Sequence, residues 1–207
     1  MEIIASYFKD LSPSMINQFG KLFELYSNWN KKINLISRKD IENLYIHHVL
    51  HSLSIAKVIQ FIDNTKIVDI GTGGGFPGIP LAIIFPNVNF YLIDSTRKKI
   101  NVVNNIIQEI NLKNAIAIHN RIENIKDKFD FAVGRAVTSV SKLISLVSNN
   151  FLTENRNSLK NGIIYLKGEE ITNEVKHMNR NYKVFKISDI FSECYFKSKI
   201  IIHIEMT

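Results

Sequence analysis

The residues best suited to bind a small ligand lie in the stretch VDIGTGGGFPGIPLAIIF, from Val68 to Phe85. Gly71, Gly73 and Gly75 stand there between a short apolar run and a segment that reads as a helix. Glycine adopts positive φ at little cost and lets a ligand approach the backbone closely. An open α/β sheet binds nucleotides where a glycine-rich loop joins a strand to a helix. We therefore interpret this loop as a cofactor site.

An acidic residue stands where such a site requires one. Asp94 ends the next β-branched run, about 20 residues after the loop, where a carboxylate binds both ribose hydroxyls of an adenosine. Phe76 occupies the position at which a dinucleotide fingerprint needs its third glycine, so the dinucleotide register fails. Asp69, just before the loop, suits an amino-acid ammonium better than a phosphate. These features predict S-adenosylmethionine, a sulfonium nucleoside without phosphate, as the cofactor.

The segments around the loop predict a sheet that is covered on both faces. Short β-branched runs alternate with helical periods after Asn64: KIVDI, NFYLID, AIAIH, FDFAV and GIIYLK. Such alternation is typical of a parallel sheet between two layers of helices. The last two runs, YKVFKI and KIIIHIEM, have no helix between them and predict a hairpin at one edge. We therefore expect an α/β fold of seven strands with an antiparallel last strand.

The first part of the chain has the periodicity of helices. Apolar side chains recur every three or four residues over 14–30, where Trp29 is interpreted as a core residue. The same spacing returns from Asp40, a candidate N-cap, to residue 61. We predict a helical subdomain over residues 1–62 and a Rossmann-like domain over residues 63–207.

Composition limits the class of protein. The 207 residues are 45% hydrophobic and carry a formal net charge of +7, most of it in the second part of the chain. This charge indicates a polyanionic partner, although a genome rich in lysine, asparagine and isoleucine codons explains it equally well. The single cysteine, Cys194, predicts a reducing compartment and hence the cytoplasm. No leader pattern and no apolar run long enough to span a bilayer is found, so we expect no membrane residence.

Seven stretches spread along the chain point to one family. WNKKINLIS, HVLHS, VDIGTGGGFPGIPLAI, LIDSTRKK, NRIE, GRAV and YLKG occur in this order between Trp29 and Gly168. On these residues the chain resembles, nearly end to end, the RsmG family, also called GidB, of bacterial 16S ribosomal RNA guanine-N7 methyltransferases. The resemblance implies a class I S-adenosylmethionine-dependent methyltransferase fold. It also implies 16S ribosomal RNA, free or in the assembled 30S subunit, as the partner.

The resemblance further implies roles for particular residues. Gly71 and Phe76 would line the pocket for the methionine and adenosine parts of the cofactor, and Ile122 and Glu123 would flank the adenine. Arg135 would lie where cofactor and substrate meet. Three positions depart from the family pattern without falling on a cofactor contact: His51 in place of an aspartate, Ile36 in place of a threonine and Gly134 in place of a serine.

The residues agree with methylation at guanine N7. VGRAVTS follows the fourth strand without the Asn/Asp-Pro-Pro-aromatic pattern that accompanies methylation of exocyclic amines. Methylation at pyrimidine C5 needs a cysteine nucleophile, whereas Cys194 lies late in the chain and is interpreted as a small buried hydrophobe. Guanine N7 carries a lone pair, so we expect no general base. The protein then accelerates methyl transfer by holding N7 about 3 to 3.5 Å from the methyl carbon.

Basic side chains near the strand ends are the candidates for substrate binding. Arg135 and Lys167 each follow a central strand and offer cationic donors to a phosphate or to guanine O6. The alternative for both is a structural ion pair, with Asp130 or Glu169. A second basic group opens the helix after the second strand, where it contacts RNA phosphates or only solvent: Arg97, Lys98 and Lys99.

Other interpretations stay open at this point. His47 and His51 have the i, i+4 spacing of a metal pair, but no third ligand is nearby in the sequence, and we assign no metal. Lys167 and Glu169 fit part of the Lys-Asp-Lys-Glu set of a ribose 2′-O-methyltransferase. An NAD-dependent oxidoreductase shares the βαβ pattern, and a binding protein that keeps this fold without catalysis is the other function class left open. We expect a monomer.

Overall fold

The computed structural model describes residues 1–37, 39–135, 138–171, 175 and 178–207. These residues form an α/β fold with a seven-stranded sheet in the order β3-β2-β1-β4-β5-β7-β6. The strands are β1 (Lys66–Ile70), β2 (Asn89–Asp94), β3 (Ala115–His119), β4 (Phe131–Arg135), β5 (Gly162–Gly168), β6 (Tyr182–Lys186) and β7 (Lys199–Glu205).

The strand pairing follows the sequence-based expectation. Strands β1 to β5 pair in parallel, and β7 runs antiparallel between β5 and β6. The predicted runs KIVDI, NFYLID and AIAIH coincide with β1, β2 and β3. The prediction of seven strands with an antiparallel last strand is confirmed for the described part of the chain, because the apolar runs of a doubly covered sheet are easily recognised.

Helices cover both faces of this sheet. They are α1 (Glu2–Tyr7), α2 (Pro13–Asn30), α3 (His51–Val58), α4 (Gly78–Ile84), α5 (Arg97–Glu109) and α6 (Val140–Val147). Helices α1 to α5 contribute to one core cluster against one face, and α6 packs against the other face. The apolar side of α5, with Val103 and Ile107, is buried as its periodicity predicts.

The N-terminal helices share their core with the sheet. Phe19 of α2 belongs to the same buried cluster as Phe90 of β2 and Phe131 of β4. Trp29 is half-buried, and its Nε1 donates to Asn105 Oδ1 at 2.8 Å, which ties α2 to α5. The division of the chain at residue 62 stays a prediction.

The second predicted helix differs from the expectation. A 3-10 turn at Ile41–Asn43 and a π-helix at Leu44–Leu50 precede α3. Asp40 is the N-cap residue of the 3-10 turn, as predicted, but its side chain makes no capping hydrogen bond. Its carboxylate instead accepts hydrogen bonds from His47 Nδ1 at 2.5 Å and from His48 Nε2 at 2.7 Å. Two imidazole donors occupy the oxygens that a cap would direct at backbone N–H groups.

Cys194 is exposed, so its interpretation as a buried residue is wrong. The 3-10 turn Cys194–Ser198 buries Phe196 instead, and this directs the thiol outward. Within the ranges described above, no helix is long and apolar enough to cross a membrane.

Candidate active site

A cleft of about 430 Å³ lies at the carboxyl ends of β1, β2 and β4. This is the edge of an open α/β sheet at which ligands bind, and the volume suits a nucleoside-sized molecule. The residues that line it come from the ends of β1, β2 and β4, from the connections that follow β1, β2 and β3, and from α5 and α6: Ile70, Gly71, Ile93, Asp94, Ser95, Thr96, Lys99, Asn120, Arg121, Ile122, Glu123, Arg135 and Leu146. The cleft therefore contains five of the predicted cofactor residues: Gly71, Asp94, Ile122, Glu123 and Arg135.

The glycine-rich loop has the backbone conformation that its sequence predicts. Gly71, Gly73 and Gly75 have φ values of 61°, 59° and 93°, in the left-handed region that favours glycine. A Cβ atom on Gly75 would lie 2.5 Å from Ile79 Cδ1, so the loop is closely packed as well as left-handed. Pro77 is the N-cap of α4, in agreement with a proline near the helix start.

Two carboxylates, those of Asp69 and Asp94, accept hydrogen bonds from this loop and from the start of α4. Asp69 Oδ2 accepts from Thr72 Oγ1 at 2.6 Å and from the backbone N–H of Gly78 at 2.8 Å. Asp69 is fully buried, and burial raises its pKa to about 7. It is not among the residues that line the cleft, and its suitability for an ammonium stays a prediction. Its other oxygen, Oδ1, is buried without a hydrogen-bond partner.

Asp94 reaches both the loop and the cleft. Its Oδ2 accepts from the Gly73 N–H at 2.9 Å, and its Oδ1 accepts from the Thr96 N–H at 2.8 Å. A carboxylate oxygen has room for a second hydrogen bond, so both oxygens can still accept a hydroxyl from the cleft side. This geometry agrees with the predicted ribose role.

Phe76 lies away from the cleft lining. Its ring is 3% exposed and packs at 4.9 Å from the Tyr26 ring and 5.3 Å from the His48 ring. The Tyr26 hydroxyl donates to the Gly74 carbonyl at 2.6 Å. Phe76 therefore packs on the core side of the loop against Tyr26 of α2, and its predicted role in the cofactor pocket stays a prediction.

Ile122 and Glu123 lie in the 3-10 turn Ile122–Asn124, directly after β3. Ile122 is buried against the cleft, whereas Glu123 is exposed at its rim. A buried aliphatic side chain such as Ile122 can pack on a purine ring, and a carboxylate beside it, such as Glu123, can accept a hydrogen bond from an exocyclic amine. The placement of these two residues agrees with the role that the resemblance implies.

Arg135 ends β4 and lines the cleft. Its Nη1 donates to the His47 carbonyl at 3.1 Å, its Nη2 donates to His48 Nδ1 at 2.8 Å, and its guanidinium lies 5.3 Å from the centre of the Phe76 ring. Asp130 is not its partner, because Asp130 lies at the opposite end of β4 and pairs with Arg156 at 3.7 Å. The alternative of an ion pair with Asp130 is therefore wrong.

The π-helix that holds Arg135 is rich in histidine. Burial, followed by the charge of Arg135, lowers the pKa of His48 to about 4. Burial also lowers the pKa of His51 well below its usual value, and both of its ring nitrogens lack a hydrogen-bond partner. His47 stacks on Tyr195 with ring centres 3.8 Å apart. No group of three His, Cys, Asp or Glu side chains among the described residues is placed to hold a metal ion.

Lys167 lies at the end of β5, the neighbour of β4. Its Nζ donates to the Thr138 carbonyl at 2.9 Å and lies 4.9 Å from the centre of the Tyr165 ring. This bond fixes the ammonium near the chain segment that follows Arg135. Ala136 and Val137 of the GRAV stretch lie outside the described residues.

The basic group at the start of α5 lies beside the cleft. Arg97 and Lys98 are exposed, and Lys99 is half-buried and lines the cleft. Of the three side chains, Lys99 is thus the one that shares a surface with the predicted cofactor residues.

Several site residues were missed at the level of sequence. Tyr26 read as one more apolar position of an amphipathic helix, and Asp40 read as a helix cap. His48 appeared only as part of the HVLHS stretch. Thr72, whose hydroxyl donates to Asp69, was also missed.

The strand order, the antiparallel β7 and the glycine loop above the β1 carboxyl end define the class I S-adenosylmethionine-dependent methyltransferase fold. A structure titled as a SAM dependent methyltransferase from Aquifex aeolicus matches with a TM-score of 0.60 and 12% identity, covering 83% of this chain and 100% of that chain. The structure of M. jannaschii TYW2 in complex with AdoMet matches with a TM-score of 0.56 and 17% identity, covering 84% of this chain and 78% of that chain. At these identities the likeness shows the fold.

The family follows from closer matches. The model of the GidB family, described as rRNA small subunit methyltransferase G, matches residues 15–201. The chain belongs to this family. The protein named Ribosomal RNA small subunit methyltransferase G from Phocaeicola vulgatus is 49% identical over 207 residues, covering 100% of this chain and 99% of that protein. The protein of the same name from Cytophaga hutchinsonii is 48% identical over 204 residues and covers 99% of each.

Proposed function

We propose that this protein transfers a methyl group from S-adenosylmethionine to N7 of a guanine in 16S ribosomal RNA. Membership of the rRNA small subunit methyltransferase G family supports the substrate class. The cleft carries the proposal, because Gly71 of the left-handed glycine loop, Asp94 and Arg135 all line it. When bound, S-adenosylmethionine supplies an electrophilic methyl carbon on a positively charged sulfur.

The glycine loop and β2 provide the proposed cofactor site. The backbone at Gly71, Gly73 and Gly75 leaves the loop without side chains at the positions of closest approach. Asp94 is the proposed acceptor for the ribose hydroxyls, and Ile122 with Glu123 the proposed purine site. A Cβ atom at Gly75 or at Gly78 would lie 2.5 Å or 2.8 Å from a neighbouring side-chain atom, so the loop tolerates little change in shape. In this proposal Phe76 supports the conformation of the loop by packing against the Tyr26 ring.

The substrate side of the proposed site is cationic. Guanine N7 and O6 are acceptors that lie side by side, and Arg135 still has donors that are not used by His47 and His48. Lys167 uses one of its three donors on Thr138 and can direct the others at a phosphate or at O6. Since N7 carries a lone pair, the site needs to position the base and does not need to remove a proton.

Arg97, Lys98 and Lys99 form the proposed phosphate contacts beside the cleft. Lys99 lies on the cleft wall, and the other two extend the positive surface outward. Each phosphate contact releases counterions, so RNA affinity is expected to fall with added salt. The proposal includes the cytoplasm as the compartment, a monomer as the acting species, and either free 16S RNA or the assembled 30S subunit as the substrate.

Ribose 2′-O-methylation is the second candidate, because Lys167 lies at the end of β5 and Glu169 follows directly after this strand. That reaction needs a base for the hydroxyl proton, whereas the described acids of the cleft, Asp94 and Glu123, are assigned to the cofactor. The NAD-dependent oxidoreductase is disfavoured by the family match.

Labelled methyl transfer tests the proposal. The purified protein, with S-adenosylmethionine labelled on the methyl group, is added to 30S particles and to free 16S RNA from a strain that lacks this protein. We expect label in 7-methylguanosine after nucleoside digestion. Label in a 2′-O-methylnucleoside, or no label in either RNA, contradicts the proposal.

A further inference from the structure

The Arg135 side chain is held in place from a distant part of the chain. Both of its described hydrogen-bond partners, the His47 carbonyl and His48 Nδ1, belong to the π-helix Leu44–Leu50, and they lie 88 and 87 residues earlier. The Phe76 ring packs on the guanidinium. A long flexible side chain at a reacting site needs such support, because misplacement of a catalytic group by about 1 Å can cost about 100-fold in rate.

The hydrogen bonds determine which nitrogen of His48 carries the proton. Arginine only donates, so His48 Nδ1 must accept the bond from Arg135 and carries no proton. The proton then lies on Nε2, which donates to Asp40 Oδ2 at 2.7 Å. Asp40 Oδ1 accepts at the same time from His47 Nδ1 at 2.5 Å. The Asp40 carboxylate thereby orients two neighbouring rings.

We propose that Asp40 and His48 are positioning residues of the methyl transfer: Asp40 holds His48 as the neutral Nε2-protonated ring, and His48 in turn holds the Arg135 guanidinium at the cleft. A carboxylate that fixes the tautomer of a histidine is a recurrent way to orient a functional group. The predicted effect on rate rests on the proposed function. The predicted proton position in His48 does not.

Protonation of His48 would break this arrangement. An N–H at Nδ1 would face the N–H of Arg135, and two donors cannot bond to each other. The titratable groups that face His48 are Arg135 from β4, Asp40 from the segment before the π-helix, and His47 and His51 from its own helical segment. Three of these four oppose a positive charge on His48 when they are themselves charged, and Asp40 favours it.

Single-turnover and steady-state methyl transfer test the positioning role. Asp40→Ala and His48→Leu are expected to lower kcat about 10- to 100-fold, with the affinity for S-adenosylmethionine changed by less than about threefold. His48→Asn keeps an oxygen acceptor near the position of Nδ1 and is expected to recover part of the loss. Glu42→Ala, which removes an exposed acid two positions from Asp40, is the matched control and should match the unchanged protein.

Nitrogen NMR of protein labelled at histidine gives a readout that is independent of activity. We expect His48 to show a protonated Nε2 and an unprotonated Nδ1 at neutral pH, and Asp40→Ala to lose this fixed pattern. A doubly protonated ring or a proton on Nδ1 in the unchanged protein overturns the proposal. Rates of Asp40→Ala and His48→Leu within about twofold of the unchanged protein also overturn it. If circular dichroism shows that the variants do not fold, the nitrogen NMR spectrum of the unchanged protein decides whether His48 carries its proton on Nε2.

The two proposals can fail separately. Absence of methyl transfer by the unchanged protein, with the expected His48 spectrum, contradicts the proposed function and leaves the proton position in place. Transfer by the unchanged protein, with unaffected variants, contradicts the positioning role alone.

Discussion

The glycine loop on one side of the cleft and Arg135 on the other are held by different kinds of contact. Asp69 bonds to residues three and nine positions away, and Asp94 reaches back 21 positions to Gly73. Arg135 is held instead by residues 87 and 88 positions earlier in the chain. The loop side thus depends mainly on one βαβ unit, whereas the Arg135 side depends on how the N-terminal helices pack on the sheet.

This difference separates two functions of the cleft. Changes on the loop side are expected to act on cofactor affinity, since they alter the surface that meets the nucleoside. Changes on the Arg135 side are expected to act on methyl transfer to RNA. Phe76 joins the two sides, because it belongs to the loop and its ring packs on both the Arg135 guanidinium and the His48 ring.

Replacement of Arg135 tests this separation most strongly. Arg135→Met keeps the length of the side chain and removes the charged donors, and we expect methyl transfer to fall by about 100-fold or more. The affinity for S-adenosylmethionine, measured by titration calorimetry, is expected to change by less than about tenfold. Arg180→Met, an exposed arginine away from the cleft, is the control. Loss of cofactor binding as complete as the loss of transfer would remove the distinction.

Replacement of Asp94 is the matching test of the loop side. Asp94→Asn removes the charge and places an NH₂ group against the N–H of Gly73 or Thr96. Hydrogen bonds to charged groups contribute about 1.5–3 kcal/mol, so the dissociation constant for S-adenosylmethionine should rise about 10- to 100-fold. Asp63→Asn, at an exposed acid that accepts from Asn87, should bind the cofactor normally. Equal affinity of the two variants would show that Asp94 does not contact the cofactor.

Two glycines give a matched pair for stability. A Cβ atom at Gly78 would lie 2.8 Å from Leu92 Cγ and 2.8 Å from Asp69 Oδ2, whereas nothing lies within 4 Å of a Cβ atom at Gly20. Gly78→Ala is therefore expected to lower the free energy of unfolding by about 1–3 kcal/mol. Gly20→Ala, in the helix α2, should raise it by about 0.5–1 kcal/mol. Urea unfolding measures both, and a neutral Gly78→Ala would mean that the loop yields easily.

The pH dependence of stability probes the Arg135 side. The pKa of His48 is lowered to about 4 by burial and by Arg135, while an unfolded histidine has a pKa of about 6.5. The unfolded state then binds the proton first as the pH falls. This group therefore costs stability below about pH 6.5, by about 2 kcal/mol at pH 5.

Asp69 has the opposite effect on stability, because burial raises its pKa to about 7. As the pH falls, the folded state takes up this proton before the unfolded state does, which stabilises the fold. The contribution of His48 is therefore measured as the difference between the unchanged protein and His48→Asn, by urea unfolding at pH 7.5 and pH 5. We expect the variant to lose less stability on acidification. The same pH dependence for both proteins would mean that the folded state does not hold His48 neutral.

The fold and the loop side of the site were predictable because their signals are local. Strands β1 to β3 coincide with β-branched runs, and the positive φ values of Gly71, Gly73 and Gly75 follow from the residue type. The exposure of Cys194 was not predictable, since it depends on a turn that buries Phe196 in its place. The π-helix was also missed, because its apolar spacing resembles that of an ordinary helix.

The amino-acid sequence by itself determined the alternation of strands and helices, the conformation of the glycine loop and the presence of an acid at the end of β2. Each depends on backbone preferences and on apolar periodicity within a few tens of residues. Only the tertiary structure decided that Asp40 and His48 support Arg135, and that Phe76 packs in the core. Those contacts join segments far apart in the chain, and burial of a shared core, which no local pattern records, brings them together.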